Sequence, residues 1–244
     1  MYIVLLTAIG VGGATILGAA FGFAFKDLSR KFSDTVLAFA GGVMLIASIN
    51  GLILPSLEYE GALALPVSIL GIVSGALIIF LLEKAVPKIT NTAGEEKSKR
   101  NKVLLFTLAI AIHNLPEGIA AGVGFGGGNT AGAITLALGI ALQNIPEGMV
   151  IISPMISTGV SPKKTFLYAS LTGIIEIIGT FIGYFAVSEA TVFLPFALAL
   201  AGGSMLYVIS EEIIPETHSA GNKSSVSFAF LFGFCFMLAL SFLI

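Results

Sequence analysis

Two short stretches hold the residues best suited to chemistry. HNLPEG (113–118) places His113, Asn114 and Glu117 within about one helical turn, and QNIPEG (143–148) repeats the spacing with Gln143, Asn144 and Glu147. On a helix, positions i and i+4 share a face about 6 Å apart along the axis, and position i+3 falls beside them. Each glutamate is therefore within reach of both polar residues before it. Brought face to face, the two stretches offer two carboxylates, one imidazole and three amide oxygens. That set suits a borderline divalent ion, since imidazole favours Zn, Fe, Cu or Ni, whereas oxygen ligands alone suit Mg, Ca or Mn. Glutamates bridging two ions would be a natural arrangement, with His113 and Gln143 on one side and Asn114 and Asn144 on the other.

These polar residues sit in an apolar chain. Of 244 residues, 56% are hydrophobic and only 11% charged, less than half the charged fraction of about a quarter usual in soluble domains. Lipid must solvate most of the surface. The charge distribution shows no nucleic-acid footprint. The single cysteine, Cys235, lies in an apolar run, which excludes an intramolecular disulfide and a cysteine-rich zinc site and reads as a small buried hydrophobe.

Hydropathy and breakers divide the chain into eight apolar segments near 2–25, 34–57, 63–86, 103–124, 130–156, 164–188, 191–213 and 225–244, each close to the ~20 residues a bilayer requires. Period-2 alternation is absent, so the expected fold is all-α, a polytopic membrane protein of eight transmembrane helices in one domain. The first segment lacks a basic leading region and reads as a span rather than a signal peptide. All twelve Lys and Arg fall in alternate connections; basic loops stay in the cytoplasm, which predicts both termini outside a cell membrane. The loop near 88–102 (TNTAGEEKSKRNK at its centre) is the expected cytoplasmic linker and contains no histidine.

Internal repeats refine the arrangement. HNLPEG matches QNIPEG, and AGGVMLIAS…LILP (40–55) matches AGGSMLYVIS…IIP (201–215). An odd number of spans separates each pair, so the members run in opposite directions, as in inverted-repeat transporters that bind their substrate at the midplane. Pro116 and Pro146 each push aside the carbonyl four residues earlier, and are expected to open the fourth and fifth helices around the ligands.

Other acids extend the candidate set. Glu176, alone in the sixth apolar segment, reads as a further ligand or proton acceptor, because an ionisable group at that depth costs roughly 2.5–3.5 kcal/mol. EEIIPETH offers Glu211, Glu212, Glu216 and His218 as an exit site or a solvated helix end. Glu58 and Glu60 at the other side could draw cations by surface potential. Met44 reads as packing on sequence alone.

HNLPEG, QNIPEG and the lone Glu176 resemble the Zrt/Irt-like (ZIP) family of divalent-metal transporters, and the resemblance covers essentially the whole chain. It implies a 3+2+3 helix arrangement in which helices 1–3 and 6–8 are related by inversion, with a binuclear site. One ion would take His113, Glu117, Gln143 and Glu147 with Met44; the other would take Asn114, Glu117, Asn144, Glu147 and Glu176. Glu58 becomes an expected entrance residue and Glu212 an expected exit residue. Many members carry His where this chain has Gln143, which weakens selection for Zn²⁺ over Cd²⁺, Fe²⁺ or Mn²⁺.

The expected function is therefore zinc uptake into the cytoplasm by alternating access, with Zn²⁺ as substrate and no P-loop to power a pump. Two rivals from other classes are a proton-coupled transporter of another solute using the buried glutamates, and an intramembrane metalloenzyme. The latter would need HExxH or a similar pattern with an open ligand position for water. The partners are divalent ions and the bilayer, with apolar helices 3 and 8 offering a face for a homodimer.

Overall fold

In the computed structural model of the chain the backbone is described except at residues 26–28, 60–62, 91–96, 158–159, 189–190, 220 and 222, and the description also omits the side chains of 86–90, 97–107, 109, 127, 154, 157 and 191. Eight helical rods make up the described residues. They are α1 (Tyr2–Ala24), α2 (Arg30–Leu57), α3 (Ala64–Thr90), α4 (Lys97–Val123), α5 (Thr130–Ser157), α6 (Pro162–Ser188), α7 (Leu194–His218) and α8 (Lys223–Leu243). Among the described residues, seven helices are long and apolar enough to cross a membrane. An all-α chain of long apolar helices is what the sequence predicts. Glu60 and the centre of the 88–102 loop lie outside the described residues. Cys235 departs from expectation: it is exposed on the outer side of α8, because the apolar run around it faces lipid rather than a protein core.

Glycines reveal how the rods are grouped. A Cβ on Gly18 or Gly22 of α1 would strike the carbonyls of Ile145 and Met149 in α5. Gly179 and Gly183 of α6 approach the carbonyls of Leu115 and Ile119 in α4 in the same way. Elsewhere, Gly42 of α2 approaches the Phe230 carbonyl in α8, and its counterpart Gly203 of α7 approaches that of Ile72 in α3. Small residues allow such backbone approach, which replaces the hydrophobic drive that lipid removes. Among the described residues, every glycine contact of this backbone kind lies inside one of two sets, α1/α4/α5/α6 or α2/α3/α7/α8. Between the sets glycines meet only side chains, as Gly51 meets Leu136 and Gly139 meets Met237. The main core cluster, including Met44, Leu136, Ile140 and Met205, fills that boundary. Matching contacts in the two halves relate them by a pseudo-twofold axis, as a 3+2+3 arrangement requires.

The prolines behave differently from expectation. Helices α4 and α5 continue as α-helix through Pro116 and Pro146. The opened turns occur in α2 and α7 instead, as π-turns at Ile49–Ile53 and Ile209–Ile213, immediately before Leu54-Pro55 and Ile214-Pro215. An extra residue in the turn accommodates the ring of Pro55 or Pro215, and the Leu54 and Ile214 amides bond to the carbonyls of Ile49 and Ile209. The two repeats thus share a local irregularity as well as a sequence.

Candidate metal centre

Helices α4, α5 and α6 deliver the polar residues to one buried region. Gln143, Glu176, Glu117, Asn144 and Asn114 are 0, 0, 1, 1 and 4% exposed, respectively, so no water shell can satisfy them. Gln143 Nε2 donates to Glu117 Oε1 at 3.0 Å, which joins the two repeat stretches directly. Glu176 is gripped from three helices. Asn144 Nδ2 donates to its Oε2 at 2.6 Å, Asn114 Nδ2 donates to Oε1, and the Thr15 hydroxyl lies 2.7 Å from Oε1. Asn144 Nδ2 also reaches the Val11 carbonyl at 3.3 Å. The adjoining Gln143 and Asn144 thus hold Glu117 and Glu176, and Glu147 follows one turn later on the same helix.

Four oxygens in that region have no donor among the described residues: Glu117 Oε2, Gln143 Oε1, Asn144 Oδ1 and Glu147 Oε1. Buried polar atoms are nearly always paired. Orphaned acceptors concentrated on two adjoining helices, with no Lys or Arg among the described residues bridging to them, are the chemistry of a cation site. The amide groups are already turned for it, since their N–H sides hold the acids and their carbonyl sides remain free.

His113 and Met44 stand apart from this hydrogen-bonded group. His113 Nε2 contacts Glu212 of α7 and lies 4.0 Å from Glu83 Oε1 of α3. One ligand atom from each of Glu83, His113 and Glu212 falls within 4.8 Å of the others, and the Tyr207 hydroxyl donates to Glu83 Oε2 at 3.1 Å. Met44 is buried in the core at the boundary of the two helix sets. Glu83 and Thr15 were not singled out by sequence. Glu83 adjoins Lys84 at a helix end and resembles a solvated pair, while a lone threonine among apolar residues gives no signal; only its match to Glu176 in the repeat could have found it.

The remaining candidates occupy two mouths. A cavity of about 830 Å³ is lined by His113, Asn114 and Glu147 and also by Arg30, Glu211, Glu212 and Glu216, so it runs from the buried region to the Arg30 end. At the opposite end a second cavity, about 740 Å³, is lined by Glu58, Tyr59, Asn129 and Leu136, with none of the buried polar residues among its lining. Burial raises the Tyr59 phenol there, which keeps it neutral. His218 is engaged elsewhere, with Nδ1 2.9 Å from the Ile214 carbonyl and Nε2 3.4 Å from Ser227 Oγ.

Eight helices around a buried, donor-poor cluster of acids and amides define a polytopic membrane protein. Comparison with known proteins agrees. Residues 95–241 match the family model described as ZIP zinc transporter. The chain is 34% identical to the zinc transporter GufA of Myxococcus xanthus, covering 97% of this chain and 96% of that protein. It is 35% identical to the zinc transporter ZIPB of Bordetella bronchiseptica, over 93% and 76% of the two chains, and 31% identical to zinc transporter ZIP11 of Xenopus tropicalis, over 93% of each. The chain belongs to the ZIP family. Its members are transporters of metal ions, not enzymes.

Proposed function

We propose that the protein carries Zn²⁺ into the cytoplasm through a binuclear site between α4, α5 and α6. The observation that carries this reading is the set of unpartnered oxygens on Glu117, Gln143, Asn144 and Glu147. The first ion would bind Glu117, Gln143 and Glu147, joined by His113 and Met44 when these swing in. The second would bind Asn114, Glu117, Asn144, Glu147 and Glu176. Bridging glutamates neutralise charge that otherwise costs roughly 2.5–3.5 kcal/mol per group at this depth.

The two helix sets support alternating access. Most of the proposed ligands belong to α1/α4/α5/α6, whose members approach backbone to backbone, whereas glycines meet only side chains at the boundary with α2/α3/α7/α8. The cavity beside Glu147 opens at Arg30, the basic end, which the positive-inside rule assigns to the cytoplasm with both termini outside. The described state is then inward-open, and the Glu83–His113–Glu212 group receives the ion as it leaves. The apolar faces of α3 and α8, among the most exposed, offer the contact for a homodimer. Cd²⁺, Fe²⁺ and Mn²⁺ fit the oxygen-rich set less selectively. Metal must displace protons from its ligands, so uptake strengthens as pH rises.

Zinc flux into proteoliposomes tests the reading. Glu117→Ala and Glu147→Ala should each abolish it with the protein still folded. Wild-type flux in both variants would remove the site.

A further inference from the structure

Asp34 of α2 is only 4% exposed, and no donor among the described residues reaches its Oδ2. It lines the same cavity as Glu147 and Glu212. Arg30, one turn away on the same helix, is committed elsewhere: its Nη2 lies 3.3 Å from Glu216 Oε1 and 2.9 Å from Ser219 Oγ. That pair closes one wall of the mouth. Asp34 is one turn inward from Arg30, and Glu212 one turn inward from Glu216, so the two acids lie at similar depth, about 6 Å inside the bridge on facing helices.

A carboxylate oxygen buried without a donor carries the desolvation cost of an unmade hydrogen bond, and more when charged. Neither helix formation nor packing requires an acid here; leucine or asparagine would fill the place. What recovers the cost is a cation in the cavity. We propose that Asp34 is a cation station on the inward path, holding a partly hydrated divalent ion between the buried site and the mouth. It rests on the transport reading above. Ser33 and Ser153, which line the same cavity, supply only hydroxyl oxygens, and the His113 imidazole there is already turned to Glu212. This is a hard-oxygen site that leaves water on the ion. Such a site binds weakly and releases quickly, as a station between a tight site and the cytoplasm must.

The test uses the full chain in lipid nanodiscs and Mn²⁺ as the probe, followed by loss of the free-ion paramagnetic resonance signal. Glu117→Gln/Glu147→Gln removes the buried site. Adding Asp34→Asn to that background should weaken the remaining Mn²⁺ binding by at least about tenfold, whereas Asp34→Glu should retain it. In otherwise wild-type protein, Asp34→Asn should reduce zinc flux while leaving the tight zinc affinity unchanged. A Mn²⁺ binding curve that does not shift when Asp34→Asn is added overturns the station. So does loss of the cooperative thermal transition in both Asp34 variants, which would make the residue structural. A Glu117→Gln/Glu147→Gln protein with wild-type zinc affinity would instead overturn the buried site, a separate failure.

Discussion

Thr15 and Glu176 occupy corresponding positions in the two halves, 161 residues apart, and touch each other across the pseudo-twofold axis. The Thr15 hydroxyl lies 2.7 and 2.9 Å from the two carboxylate oxygens. One half supplies the acid and the other the donor that holds it. Thr15→Val keeps the shape and removes the donor. The expected loss is about 1.5–3 kcal/mol, the range for a hydrogen bond to a charged group, seen as a lower thermal midpoint in detergent together with weaker zinc binding. Thr15→Ser should restore both; an unchanged midpoint in Thr15→Val would show that the two amides suffice.

The glycine seams predict paired effects. Gly22→Ala and Gly183→Ala each drive a methyl group into a carbonyl of the neighbouring helix. Overpacking of this kind costs typically about 1–3 kcal/mol, and equivalent positions should give similar losses. Gly13 has open space around it, so Gly13→Ala should be neutral or stabilising by up to about 1 kcal/mol. Unfolding midpoints of the three variants decide the matter.

The proposed motion between the helix sets can be arrested. A Cβ built on Gly51 of α2 would lie 3.2 Å from the Cβ of Leu136 in α5, near the ~3.5–4.5 Å separation of disulfides. With Cys235→Ser as background, Gly51→Cys/Leu136→Cys should lose zinc flux on oxidation and regain it with reductant. Full flux in the oxidised, cross-linked protein would exclude sliding at this boundary.

The proposed site makes Gln143 a determinant of selectivity. Gln143→His adds an imidazole beside Glu117, and imidazole favours zinc over manganese. Competition of Mn²⁺ against Zn²⁺ uptake should weaken in this variant relative to wild type. Equal competition would place Gln143 outside the coordination sphere.

Much of this arrangement is legible in the chain because the membrane makes polar residues conspicuous. HNLPEG and QNIPEG stand out against apolar surroundings, and the structure joins them through Gln143 and Glu117. The α2/α7 repeat shows because both copies keep Gly-Gly and a late proline. The α1/α6 and α3/α8 relations are implied only by the family resemblance and do not show as repeats in the residues, since matching glycines carry them while the residues between differ; Thr15 against Glu176 is the sharpest case. The proline expectation failed for a physical reason. A proline displaces a carbonyl, but whether the turn opens depends on neighbours, and α4 and α5 are pinned on either side by glycine seams. His113 also took partners from α3 and α7 that no local spacing could announce.

The paired π-turns carry a thermodynamic consequence. If the halves were chemically identical, the conformations open to either side would have equal energy, and occupancy would be set by concentration alone. At corresponding places in the two turns, however, one repeat has Gly51 and Leu52 and the other has Glu211 and Glu212. Under the proposed alternating access, carboxylates thus stand in only one of the two turns, so a cation meets more negative charge beside Glu211 and Glu212 than beside Gly51 and Leu52. Divergence at two residue pairs would then give the two open conformations of the proposed cycle unequal dwell times.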